Sequence, residues 1–256
     1  LDEMVVPLGQ LTGDDVSTIT GLMAAWAKSK SKEGARTVER LLKRIVDDMN
    51  SGNVDVRVTT RMYTMSIDAW AKVGGIAAAE RAHIIHEGMM ETNKKTGDPL
   101  IRPTTISYNA LLNSWSKWRS SKAPLVAEAI FHEMLERYRR GDDAVRPDVV
   151  SFTAVIDAWA KSGKPGAGHR ALNLLQIMED LSSGEREERD EVKPNVYTYS
   201  AAINAFAKSP DVDAPQKAEN LLKYMKQRCE AGDWQSKPNS VNYNSCINAW
   251  GRSKEP

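Results

Sequence analysis

The stretch Val155-Ile156-Asp157-Ala158-Trp159-Ala160-Lys161 recurs along the chain. It returns as Ser66-Ile67-Asp68-Ala69-Trp70-Ala71-Lys72, as Leu111-Leu112-Asn113-Ser114-Trp115-Ser116-Lys117, and as Ala202-Ile203-Asn204-Ala205-Phe206-Ala207-Lys208. Cys246-Ile247-Asn248-Ala249-Trp250-Gly251-Arg252 is a further copy, and Leu22-Met23-Ala24-Ala25-Trp26-Ala27-Lys28 a weaker first one. The aromatic falls at 26, 70, 115, 159, 206 and 250, in steps of 44, 45, 44, 47 and 44 residues. A fixed period in this range marks a repeat architecture.

Each copy opens a helix. Phe152, Val155, Ile156 and Trp159 fall at i, i+3, i+4 and i+7, one apolar stripe at helical spacing. Ten residues beyond each closing cation a second apolar-periodic helix reaches its own key position. Ala82 leads to Met89, Ala127 to Met134, Ala171 to Met178 and Ala218 to Met225, with Val38 and Ile45 in the first copy. Breakers such as Gly74-Gly75 and Gly163-Lys164-Pro165-Gly166 separate the two helices. A polar exit segment then closes on Arg102-Pro103, Arg146-Pro147, Lys193-Pro194 or Lys237-Pro238, where proline suits the entry to a new helix. One unit is helix, turn, helix, exit loop. A single pair cannot bury its own apolar faces, so stacked neighbours must supply the core.

The expected fold is therefore all-α: a right-handed superhelical solenoid of helix-turn-helix repeats forming one array over residues 1–256. Its units run over about 16–59, 60–104, 105–148, 149–195 and 196–239, with a partial unit at 240–256. First helices are expected to begin near 16, 60, 105, 149, 196 and 240, and Trp70, Trp115, Trp159, Phe206 and Trp250 to be buried between helices. The acid-rich run at 184–191 lengthens the fourth exit loop and accounts for the 47-residue step. Pro256 stands where a second helix should follow, so the natural chain is expected to continue.

Composition narrows the function. Apolar residues make up 41% of the 256-residue chain and charged residues 27%, enough for both a core and a solvated surface. The net charge of +1 creates no strong global field toward nucleic acid or an anionic membrane, so any basic surface is local. Two cysteines, Cys229 and Cys246, make no disulfide framework and favour a reducing compartment. No apolar run approaches the roughly 18–20 residues a bilayer span needs. His83 and His86 are spaced i, i+3 but lack a third ligand, so helix surface or packed imidazole is the expected role. Gly163 to Gly168 lacks the Lys-Ser/Thr of a phosphate loop. No nucleophile–base pair stands out, so no catalytic residue, metal or cofactor is assigned.

The first helices carry a second, polar stripe. Thr20, Thr64, Asn109, Thr153, Ser200 and Asn244 hold one position; Asp68, Asn113, Asp157, Asn204 and Asn248 follow four residues on; Lys28, Lys72, Lys117, Lys161, Lys208 and Arg252 close the series. Spacing of four places all three on one face. Short amides and hydroxyls can read the edges of unstacked bases, and a cation can neutralise a phosphate. Two structural roles compete. Asp148, Asn195 and Asn239 follow proline and would serve equally as helix caps, and the Asp68 position could tie neighbouring repeats together.

Pro147-Asp148-Val149-Val150-Ser151-Phe152-Thr153-Ala154-Val155-Ile156-Asp157, with its counterparts beginning at Pro194 and Pro238, resembles the pentatricopeptide repeat. Ile106-Ser107-Tyr108-Asn109-Ala110-Leu111-Leu112-Asn113 matches as well, and the resemblance extends from about Val16 onward. Its usual unit has 35 residues; here about three are added between the helices and about six in the exit loop. The resemblance implies a sequence-selective module for single-stranded RNA, one base per repeat, in a mitochondrion or plastid. RNA-processing proteins are expected as further partners; no membrane, small-molecule substrate or enzymatic activity is. The alternative is a protein-interaction solenoid holding a peptide in its concave groove.

In the family, the residue after the Tyr and the last residue of the unit choose the base jointly. Carried over, Asn109 with Asp148 implies uracil, while Thr153 with Asn195 and Ser200 with Asn239 each imply adenine. Thr20 with Thr59 and Thr64 with Thr104 form no informative pair, and Asn244 implies a pyrimidine. The base-sandwiching positions correspond to Ile106, Val150, Tyr197 and Val241; Ser17 and Arg61 depart from that pattern. The resemblance assigns the closing cations to phosphates.

Overall fold

The computed structural model describes residues 9–118, 120–183 and 192–253. The acid-rich run at 184–191 and the terminal Pro256 lie outside them. Among the described residues eleven α-helices follow one another: α1 (Gly13–Trp26), α2 (Lys32–Asn50), α3 (Thr60–Val73), α4 (Ile76–Thr96), α5 (Thr105–Ser116), α6 (Ala123–Arg139), α7 (Val149–Ser162), α8 (Ala167–Ser182), α9 (Val196–Lys208), α10 (Ala214–Glu230) and α11 (Ser240–Arg252). No strand occurs among the described residues. The chain divides into two compact units, residues 1–114 and 115–256, the division falling in the last turn of α5.

The odd-numbered helices begin where the repeat register places them, except the first. α1 starts at Gly13 rather than near 16, because Thr12 and Asp15 form a capping box there. The Thr12 hydroxyl accepts from the Asp15 amide, and the Asp15 carboxylate accepts from the Thr12 amide at 2.8 Å. Two otherwise orphaned amides at the helix start are thereby satisfied. These bonds also hold the Asp15 carboxyl below its ordinary range.

Both apolar stripes face inward. On the even-numbered helices Val38, Ile45, Ala82, Met89, Ala127, Met134, Ala171, Met178, Ala218 and Met225 are fully buried. Alanine at one of these positions lets helices approach closely, while methionine fills the irregular space one turn pair later. In the first unit α3 packs against both α2 and α4; in the second, α7 packs against α6 and α8, and α9 against α8 and α10. Each such first helix is thus flanked by two second helices, and Trp70, Trp115, Trp159 and Phe206 are buried.

Trp250 departs from the expectation and is 43% exposed. Among the described residues α11 packs chiefly on α9 and α10, which leaves one flank of its aromatic open. Trp26 is 42% exposed for the mirror-image reason: α1 packs on α2 and α3, with no described helix before it.

The longer unit is not slack. Exit segments wind into 3-10 turns at Pro99–Ile101, Asp143–Val145 and Trp234–Ser236, and Ile101, Val145 and Ser236 at their ends are fully buried. Arg137 Nη2 reaches forward to Asp142 Oδ2 at 2.7 Å, and Arg228 Nη2 to Asp233 Oδ2 at 2.9 Å, fastening two of these segments to the helix just completed. Between the helices of a pair, Gly163 takes the left-handed conformation (φ 60°) that ends α7.

Candidate nucleic-acid interface

The residues after the prolines serve as helix caps. Asp148 Oδ1 accepts from the Ser151 amide at 2.8 Å. Asn195 Oδ1 accepts from the Tyr197 and Thr198 amides at 2.9 and 3.2 Å, and Asn239 Oδ1 from the Val241 and Asn242 amides at 3.0 and 3.3 Å. Thr59 also stands at the N-cap of α3 but makes no side-chain cap bond, while Thr104 Oγ1 lies 3.5 Å from the Ser107 amide. Capping does not exhaust the asparagines. With Oδ1 turned to the helix, the Nδ2 of Asn195 and of Asn239 is directed away from it, and the amide orientation is set by backbone donors.

The paired positions are half-buried on the first helices: Thr20, Thr64, Asn109, Thr153 and Ser200, with Asn244 exposed. Thr20, Thr64 and Ser200 each donate to the carbonyl four residues back, at 2.7, 2.8 and 2.6 Å. Thr153 instead meets Thr198 of the following helix, oxygen to oxygen at 3.2 Å.

Beside them stand large apolar side chains left in water. In the second compact unit Val150 is 48%, Tyr197 73% and Val241 55% exposed; in the first, Ile106 is 71% exposed. Each is the second residue of its helix, and each is followed by a buried polar residue: Ser107, Ser151, Thr198 and Asn242. A solvated face at one fixed register would ordinarily be polar, so apolar groups kept there suit stacking against a flat ligand.

The closing cations have a role inside the protein. Lys72 Nζ donates to the carbonyl of Ala27 at 3.2 Å, Lys161 Nζ to that of Ser116 at 3.0 Å, and Arg252 Nη1 to that of Ala207 at 3.4 Å. Each target is a C-terminal carbonyl of the preceding first helix, where a cation is favourable. Lys72 and Lys161 are also ion-paired with Asp68 and Asp157 one turn earlier, both at 2.5 Å. The cations, rather than the Asp68 position, therefore tie these repeats together, while Asp68 and Asp157 pair within their own helices. Lys117 and Lys208 close α5 and α9 at the same register, and Lys28 is exposed after α1.

Sequence reasoning missed the polar residue just before each Tyr or Phe. Ser107, Ser151, Thr198 and Asn242 are fully buried, and their signal was the recurrent small polar residue at that place, broken only by Met62. His86 proves to be a packed imidazole, edge-on to Tyr108 with centroids 4.6 Å apart, while His83 lies 3.8 Å from Glu87. No cluster of three or more metal-ligating side chains occurs among the described residues. No described helix is long and apolar enough to cross a membrane.

These features define a helical-repeat protein whose first helices hold exposed apolar residues beside short polar ones. Residues 185–253 match the family model described as pentatricopeptide repeat domain, a span whose described part covers α9, α10 and α11. Over those residues the chain is similar to the pentatricopeptide repeat domain; proteins of that family usually bind RNA in organelles and generally have no catalysis of their own. No curated protein matches the chain.

Proposed function

We propose that this protein is a sequence-selective single-stranded RNA-binding module that takes one base per repeat and guides processing, stability, editing or translation of an organellar transcript, in a mitochondrion or plastid. The observation that carries the reading is the exposed apolar residue at the second position of four successive first helices, Ile106, Val150, Tyr197 and Val241, each just ahead of a short polar side chain. Stacking on such groups is tolerant of sequence, and the adjacent polar groups supply the choice of base.

In the second compact unit, Thr153 with Asn195 and Ser200 with Asn239 read two successive adenines, held between Val150, Tyr197 and Val241. Asn109, Asp148 and Asn244 carry the same roles at their own registers, and Thr20, Thr59, Thr64 and Thr104 occupy them without a defined base. Lys28, Lys72, Lys117, Lys161, Lys208 and Arg252 contribute positive charge near the backbone of the strand. Selection of bound RNA from a random pool tests this directly. An enriched A-A step supports the reading; enrichment of nothing, with retention of an extended peptide instead, overturns it in favour of a peptide-holding solenoid.

A further inference from the structure

The two members of each reading pair in the second compact unit are joined by a third residue. For Thr153 and Asn195 it is Thr198, fully buried in the first turn of α9. Its Oγ1 lies 3.2 Å from Thr153 Oγ1 and 3.3 Å from Asn195 Oδ1. For Ser200 and Asn239 it is Asn242, fully buried in the first turn of α11. Its Nδ2 donates to Ser200 Oγ at 2.8 Å, and its Oδ1 accepts from the Asn239 amide at 2.8 Å.

The proton count of these bridges is decisive. A hydroxyl has one proton, and an amide oxygen can only accept. The Thr198–Asn195 contact therefore takes the Thr198 proton, and the Thr153–Thr198 contact must take the proton of Thr153. Thr153 is left with lone pairs alone to offer a ligand. Asn195, its Oδ1 committed to Thr198 and to two backbone amides, has only its Nδ2 donor group to offer.

The second pair reaches the same polarity by another route. Ser200 gives its proton to the Val196 carbonyl at 2.6 Å and accepts from Asn242, so a lone pair is what remains. Asn239, its Oδ1 holding the amides of Val241 and Asn242, turns Nδ2 outward. Each pair then presents one acceptor beside one donor. That pattern is complementary to the pairing edge of adenine, whose N6 amino group donates and whose N1 accepts. With the hydroxyl lone pair set against the six-position and the asparagine Nδ2 against N1, it opposes guanine, whose O6 accepts and whose N1 donates.

We propose that Thr198 and Asn242 are specificity-determining residues, which never touch the base but fix the hydrogen-bond polarity of the pair that does. This rests on the RNA-reading assignment above and adds to it a third, buried position per repeat. A bridging hydroxyl lost from a buried site lets Thr153 rotate and donate, which removes the clash with guanine O6 and so weakens the preference for adenine.

The test is selection from a random RNA pool by the parent, Thr198→Val and Thr198→Ser, each first shown to be folded by helicity and melting. Valine keeps the shape and removes the hydroxyl; serine keeps the hydroxyl. The parent is expected to enrich A-A. Thr198→Val should lose adenine-over-guanine discrimination by about tenfold at the base read by Thr153 and Asn195 only, and Thr198→Ser should keep it. Asn242→Leu, which keeps the size but removes the amide that holds Ser200, is the parallel test at the base read by Ser200 and Asn239 and decides the matter if Thr198→Val does not fold. A parent that shows no A-A preference overturns the RNA reading itself. A selective parent whose discrimination survives both Thr198→Val and Asn242→Leu overturns the bridging role alone.

Discussion

Arg81 on α4 reaches back across one repeat to Glu39 on α2, and the other carboxylate oxygen of Glu39 accepts the indole N–H of Trp70 at 2.9 Å. A similar grouping returns in the second compact unit, where Arg170 Nη1 lies 3.3 Å from Glu128 and its guanidinium stands 5.8 Å from the centre of the Trp159 ring. One repeat further on, Leu172 replaces the glutamate and Phe206 the tryptophan. There the indole and its neighbouring carboxylate are absent together. Trp70→Phe keeps most of the packing and should cost about 1 kcal/mol, the worth of one such bond, while Trp70→Ala should cost about 3–5 kcal/mol. Urea unfolding of the two variants measures both; equal losses would mean that the indole bond is idle.

Gly168 is set by Phe206. A Cβ built on Gly168 would fall against Cδ1 of that ring, well inside contact distance. Gly168→Ala, mild on an ordinary helix surface, should therefore destabilise by about 1–3 kcal/mol through overpacking. Phe206→Leu in the same chain should return part of the loss. A neutral Gly168→Ala would show that the ring has room to move.

Asp68 and Asp157 hold back the charge of Lys72 and Lys161. Asp68→Asn with Asp157→Asn should strengthen binding of all RNA sequences alike and steepen its salt dependence. For a single strand the log–log slope should steepen by about 0.7 for each further phosphate neutralised. A slope unchanged by the double variant would place these lysines away from the strand.

Burial works to raise the Asp233 carboxyl, but bonds from Ser236, Lys193 and Arg228 outweigh it and hold the group below its ordinary range. A carboxyl lowered in the folded state contributes stability that is complete above its unfolded value, about 4, and is lost as pH falls through the folded one. Asp233→Asn should then cost about 1–3 kcal/mol at neutral pH. Denaturation midpoints should converge with the parent's once pH has fallen through the lowered folded-state value, where the parent's own carboxyl is protonated. A gap independent of pH would assign the loss to packing instead.

Asn195→Asp exchanges an outward donor for an acceptor while leaving an equally good cap on α9. Base preference at that register should move from adenine toward guanine with melting unchanged. If Asn195 only caps its helix, parent and variant will discriminate identically.

Helix positions were legible because the 44-residue period, the proline and the cap residue all mark the same boundary. The start of α1 escaped because its capping box, Thr12 with Asp15, belongs to no repeat. Burial of the aromatics followed from the stripe, but the exposure of Trp250 depends on what covers α11, which spacing does not encode. The polar stripe of the first helices was legible only by residue type. That Lys161 would commit a hydrogen bond to Ser116, on the preceding first helix, requires knowing how one such helix ends beside the next. The bridging role of Thr198 was hidden for a related reason: a small polar residue looks like surface until its burial is known.

The backward reach of Lys72 to Ala27, Lys161 to Ser116 and Arg252 to Ala207 gives the molecule an arrow. Every one of these helices is finished by a residue made later in synthesis. During translation a repeat leaves the ribosome with the carbonyls at the end of its first helix still turned to water, and the next repeat completes it on arrival. Trimming from the front idles a cation, whereas trimming from the rear reopens a helix end that had been closed. Repeats of this chain are interchangeable in outline but not reversible in order.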